Sequence, residues 1–342
     1  MFYLFLAGVA FIGLMMVLFQ MRNHEKGLYI LFFAEMWERF SYYGMRALLV
    51  LYLTKHFLFE REAAYGLYGA YTTLVYITPV IGGMLADKYL GPRKAVLIGA
   101  VLLVLGHATM AIEGAPVVEG GVADPSILNI FYLALALIIA GTGFLKANIS
   151  TMVGALYKRT DERRDSAFTI FYVGINLGAA FGALLAGGIG ETYGWSYGFG
   201  LAGIGMLAGL LVFIWGKPML NGAGEPPNPA ALKEKAFAGL SVEWTIYVST
   251  FLAIIAIWLL VRNQVVVDHK LQHEGDVRLT GLPRAAQHSS TEQHLSSHTH
   301  EAEHRVQLVD RTISSDPLIR FRHSPTEHQI GSAIITSLGC NR

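Results

Sequence analysis

The chain has 342 residues, 53% hydrophobic and only 15% charged, with 26 basic side chains nearly balanced by 25 acidic ones. Soluble globular domains carry about 25% charged residues, so this composition excludes that class and leaves a polytopic, all-α membrane protein. A formal net charge of +1 gives no basic groove for nucleic acid, and one cysteine, Cys340, excludes a disulfide framework.

Residues 1–22 form an extra hydrophobic segment. The apolar run at 2–20 lacks a basic stretch before it and an A-x-A-like cleavage site after it. An uncleaved helix or a misassigned start is therefore expected over a cleaved signal peptide. Spans of about 20 apolar residues then predict helices at about 27–54, 65–86, 95–113, 127–150, 166–189, 197–216 and 243–262. Basic residues alternate between the connecting loops. Lys88, Arg93 and Lys94 occupy one loop, Lys158, Arg159, Arg163 and Arg164 another, and Lys217, Lys233 and Lys235 the linker after Trp215. The 114–126 and 190–196 loops hold no Lys or Arg. The bias places the first three loops in the cytoplasm and closes residues 23–217 into a six-helix bundle with both ends inside.

The first helix carries Glu35, Glu38, Arg39 and Arg46 in a stretch long enough to cross a bilayer. A charge at that depth costs about 2.5–3.5 kcal/mol on insertion scales, so it persists where it faces a cavity or a partner. At 100° per residue, Glu35, Glu38, Arg39, Tyr42, Tyr43 and Arg46 fall within an arc of about 140° and share one polar face. The Glu35–Arg39 and Glu38–Tyr42 spacings also fit a self-satisfied structural pair. That reading leaves Arg46 without a local counter-ion and the adjacent tyrosines unexplained.

The loop Gly82-Gly-Met-Leu-Ala-Asp-Lys-Tyr-Leu-Gly-Pro-Arg-Lys94 joins small residues, which let helices approach closely, to a charge cluster able to link helix ends. Gly83, Asp87, Arg93 and Lys94 are its expected gating residues. Lys146 lies inside an apolar span past the midplane, where it snorkels or pairs with a carboxylate. Tyr172 and Asn176 share a face at i,i+4, and Tyr76 is a further intramembrane tyrosine. Both Asn176 and Tyr76 also fit plain interhelical packing.

Residues 218–264 read as a cytoplasmic linker and an additional helix. From 265 to 342 the chain turns polar and rich in histidine, with no apolar period, and is expected to be disordered. His294, His298, His300 and His304 contain two i,i+4 pairs, but no carboxylate or cysteine arrangement supports a closed metal site.

Three of these motifs together resemble the proton-dependent oligopeptide transporters of the major facilitator superfamily. They are Glu35-x-x-Glu38-Arg39-Phe-x-Tyr-Tyr-Gly, the Gly82–Lys94 loop and Phe171-Tyr-x-x-Ile-Asn-x-Gly178, and the resemblance covers about 24–216. It implies proton coupling by Glu35, Glu38 and Arg39, with Lys146 as charge partner of the glutamates. It also implies a peptide site lined by Arg39, Tyr42, Tyr43, Arg46, Tyr76, Lys146 and Asn176. The family pairs two six-helix bundles around a midplane site, and only the first is recognisable here. The acidic groups that would hold a peptide amino terminus belong to the missing half, and Ala147 stands where the family usually has proline. The switch in composition after about Gln264 reads as a truncated or frame-shifted product or a genuine short form.

The expected function is proton-coupled symport of di/tripeptides across the bacterial inner membrane, with the proton as coupling ion, no other cofactor and no metal. The expected partners are the peptide, membrane lipid, and a second bundle or another copy of the chain. No nucleophile–base arrangement implies an enzyme. The alternatives are a non-transporting half-protein that acts by association, and proton-coupled uptake of another solute such as nitrate. A lone bundle is expected to present its charged face to lipid and not to transport.

Overall fold

The computed structural model describes Met15, Val17 and residues 19–280, apart from Glu119 and Ala238. Most of the 1–22 segment, and the tail beyond Thr280 with its four spaced histidines, lie outside the described residues. From Lys26 on, the described residues form α1 (Lys26–Lys55), α2 (Arg61–Leu85), α3 (Pro92–Met110), α4 (Pro125–Ala155), α5 (Arg163–Phe181), α6 (Gly187–Tyr193), α7 (Trp195–Trp215) and α8 (Val242–Thr280). A π-helical turn at Ala86–Leu90 extends α2, and another at Gly182–Ala186 joins α5 to α6. α5, its π turn and α6 form a single span, Arg163–Tyr193, so the expected six-helix bundle is present.

Local chemistry sets several helix starts. α4 begins where the Asp124 side chain accepts a hydrogen bond from Ser126 N (2.8 Å) and Pro125 takes the first helical position. Gly91 (φ 75°) and Pro92 turn the chain into α3. α8 continues past Gln264 to Thr280, into the first residues of the expected polar tail.

Among the described residues six spans are long and apolar enough to cross a membrane: Arg61–Leu90, Pro92–Met110, Pro125–Ala155, Arg163–Tyr193, Trp195–Trp215 and Val242–Asn263. α1 has 30 residues, similar to these, but its charges set it apart. The bundle accommodates it by enclosure. α1 packs against α5 and α7, α3 against α4 and α7, and α2 against α4. The shared core includes Phe32, Leu48, Tyr52, Leu135, Ile138, Phe199 and Met206. α8 lies outside this bundle against α3 and α4, through Ile246 beside Ala95 and Phe144 and Ile254 beside Ala136 and Ala140. Trp258 Nε1 donates to Asn129 O at 3.1 Å.

Polar clasps hold α1 at both ends. At its start His24 Nδ1 lies 3.0 Å from the Tyr157 hydroxyl, and Arg163 donates to Asn23 O at 3.0 Å. Burial first, and then Arg163, pushes the His24 imidazole below its ordinary value. Arg163 also holds the Asp161 carboxyl below its usual range by direct hydrogen bonds. At its other end Glu113 engages His56 (3.5 Å) and accepts from Ser196 N (2.8 Å) at the start of α7.

Small residues fix two crossings. A Cβ on Gly82 would collide with Gly143 O of α4, and one on Gly178 of α5 with Met36 O of α1. Gly82→Ala is therefore expected to destabilise the protein by about 1–3 kcal/mol, because the backbones must separate. Gly83→Ala, whose Cβ meets only Ala147 Cβ at 3.8 Å, should change stability by less than about 0.5 kcal/mol. Thermal unfolding of the two variants in detergent checks this, and equal losses would show that the crossing is not the constraint.

Candidate functional site

The charges of α1 sit inside the bundle. Glu35, Glu38 and Arg39 are 2%, 0% and 6% exposed, so for these three the structure corrects the expectation that the charged face of a lone bundle meets lipid, whereas Arg46 and Lys146 are half-buried. They are enclosed because Gly178 brings α5 against α1 beside Arg39 and because α7 covers Phe40 and Ser41 through Gly205 and Met206. Arg39 Nε donates to Glu35 Oε1 at 2.7 Å and lies 2.7 Å from Glu38 Oε2. One guanidinium thus serves two carboxylates. Glu35 Oε2, both Glu38 oxygens and the hydroxyls of Tyr42 and Tyr71 are buried without a hydrogen-bond partner among the described residues.

The other expected residues surround this core at varied depth. Tyr42 is buried, and its ring stands 5.9 Å from both Arg39 Cζ and Lys146 Nζ. Tyr43 is half-buried and packs edge-on against Tyr42. Lys146 lies over the Tyr76 ring at 4.1 Å and makes no ion pair among the described residues. Its near contacts are thus two aromatic faces, and the glutamates lie beyond ion-pair distance. Lysine is stable there because the ring quadrupole attracts a poorly hydrated cation.

Arg46 also has a partner that its own helix did not reveal. Its Nε donates to the Tyr68 hydroxyl of α2, and Cζ lies 5.5 Å from that ring. Asn176 is exposed and donates to Tyr172 O of its own helix at 2.8 Å, so it is open to the bundle's outer face. Tyr76 is likewise 57% exposed.

The expected gating residues divide. Gly83 is half-buried beside α4, and Asp87 is exposed with no ion pair among the described residues. Arg93 pairs with Glu225, while its backbone N donates to Gly224 O at 2.9 Å. Lys94 pairs with Glu243 at 2.5 Å. Both basic residues therefore fasten the linker and α8 to the start of α3.

Tyr68 and Tyr71 are the site residues that sequence reasoning missed. Their i,i+3 spacing puts both on one face of α2, but only the structure shows that this face turns toward α1. Replacing Arg39 by Met should leave two buried carboxylates facing one another and cost about 3–5 kcal/mol of stability. Neutralising the whole triad as Glu35→Gln, Glu38→Gln and Arg39→Met should recover most of that loss. Unfolding measurements on both proteins decide it, and a triple variant no more stable than the single one would contradict this account.

The sequence profile of the POT family matches residues 93–303. An uncharacterized transporter of Bacillus subtilis, YclF, is 42% identical over 64% of this chain and 44% of its own length. The di-/tripeptide transporter of Lactococcus lactis is 39% identical over 62% of this chain and 42% of its own length. The chain thus spans less than half of these relatives. A crystal structure of the peptide transporter POT in complex with sulfate superposes with a TM-score of 0.57 and 38% identity, over 72% of this chain and 47% of that one. A POT family transporter in complex with 5-aminolevulinic acid gives 0.57 and 34%, over 70% and 47%. With its apolar spans and these matches, the chain belongs to the POT family and is a multi-pass protein of the bacterial cell membrane.

Proposed function

We propose that this bundle forms the proton-responsive half of a proton-coupled di/tripeptide symporter. The observation that carries the reading is the buried triad in which Arg39 alone faces Glu35 and Glu38. Two carboxylates against one guanidinium leave a negative charge in a low-dielectric interior, where a proton or a cation must balance it. Lys146, over Tyr76 and Tyr42, is that cation at longer range. A proton taken up at Glu38 frees Lys146 to attract the carboxylate of an incoming peptide. Coupling then arises because proton and peptide alter the same set of charges.

Arg46 completes the carboxylate end of the site in this reading, with Tyr68 orienting its fork. Tyr76 and Asn176 are exposed, and they offer peptide contacts along a face that a second bundle would cover. That bundle would supply the rest of the peptide site and the surface for alternating access. Homologues that transport peptides support the substrate class.

The test is equilibrium binding of labelled dialanine and of its amide to the purified chain. The free acid should bind more tightly, and Arg46→Lys should weaken the acid by more than the amide because the planar fork is lost. Glu38→Gln should remove any dependence of dialanine binding on pH while the fold is retained. Equal losses for acid and amide, or an unchanged pH profile in Glu38→Gln, would remove these residues from the assigned roles.

A further inference from the structure

On the cytoplasmic side, a cavity of about 350 Å³ lies where the start of α3 meets the end of α7, lined by Arg93, Lys94, Leu97, Phe213, Ile214 and Lys217. It is divided by chemistry. Three cations stand at its mouth, and three apolar side chains lie one turn deeper along the two helices. Arg93 and Lys94 pair with Glu225 and Glu243, and Lys217 has no ion pair among the described residues. Three cations against two carboxylates leave an excess positive charge, and neither carboxylate lines the cavity.

The apolar part continues outward. Leu97, Val101 and Leu105 are exposed at i, i+4 and i+8 on α3, while Ile204, Leu207 and Ile214 are exposed on the adjoining α7. These helices run antiparallel, so the two rows flank one seam from the cavity toward the bilayer centre. Trp215, two residues before Lys217, is 73% exposed. Tryptophan at such a position marks the headgroup level, and basic pockets between helices at that level favour anionic headgroups.

We propose that this seam binds an anionic phospholipid of the inner leaflet. Its phosphate sits among Lys217, Arg93 and Lys94, and one acyl chain lies along the α3–α7 rows. The cations meet the phosphate as point charge and as fork, and the apolar rows remove the tail from contact with less well-packed lipid. Because Arg93 also ties the linker down, lipid occupancy bears on the same attachment that fastens the linker to α3. The inference stands independently of peptide transport.

Native mass spectrometry of the purified chain, titrated with phosphatidylglycerol, phosphatidylcholine or inorganic phosphate, tests it. Phosphatidylglycerol should be held more tightly than phosphatidylcholine. Lys217→Gln should weaken phosphatidylglycerol about fivefold, as expected for one basic residue near a membrane surface, and leave phosphatidylcholine unchanged. Lys217→Arg should retain the preference, which separates lost charge from a disturbed fold. Equal affinity for the two lipids, or full phosphatidylglycerol affinity in Lys217→Gln, would overturn the proposal. Displacement of phosphatidylglycerol by inorganic phosphate at equal concentration would also overturn it, by identifying a free-anion site.

Discussion

The contact on which the rest of the bundle depends is the shared guanidinium of Arg39, 2.7 Å from oxygens of both Glu35 and Glu38. Burying three charges carries a desolvation cost of several kcal/mol per ion, which attraction offsets only when geometry is tight. That need explains why α1 sits among α5, α7 and the other helices and not at the lipid surface. It also explains the bare backbone at Gly178, because a side chain there would push α5 away from the triad. The helix is thus too polar for lipid and yet central to the fold.

Around that centre, the two ends of α1 are held by unlike devices. The first end uses Arg163, Asp161, Tyr157 and His24, a mixed polar set. The other end uses Glu113, which accepts from the Ser196 amide of α7 and reaches His56. Neither clasp relies on apolar packing alone. They fix where α1 starts and stops, and so set the depth at which the triad lies.

Much of this was legible in the sequence. Apolar runs located the helices because a bilayer demands continuous hydrophobic length. The Glu35–Arg46 face was readable because helical period alone brings i,i+3 and i,i+4 residues together. Partners contributed by other helices were not readable. The Tyr68 hydroxyl that receives Arg46, and the aromatic faces that receive Lys146, depend on how α2 and α4 approach α1. Periodicity within one segment carries no such information. Nor could it show that Arg93 and Lys94 reach Glu225 and Glu243, because long-range ion pairs follow tertiary placement.

The Gly82–Gly143 crossing has a mechanical meaning. Two helices that touch backbone to backbone at one point can pivot there far more easily than they can slide, since sliding would drive side chains into the bare contact. On α2, Tyr76 lies six residues from that point, about 9 Å along the axis, whereas Tyr68 lies about 21 Å away. Any rotation moves a side chain in proportion to its lever arm. Lys146 and Tyr76 therefore travel nearly together, close to the fulcrum, while Arg46 and Tyr68 sit at the long end, where the same rotation opens the widest gap.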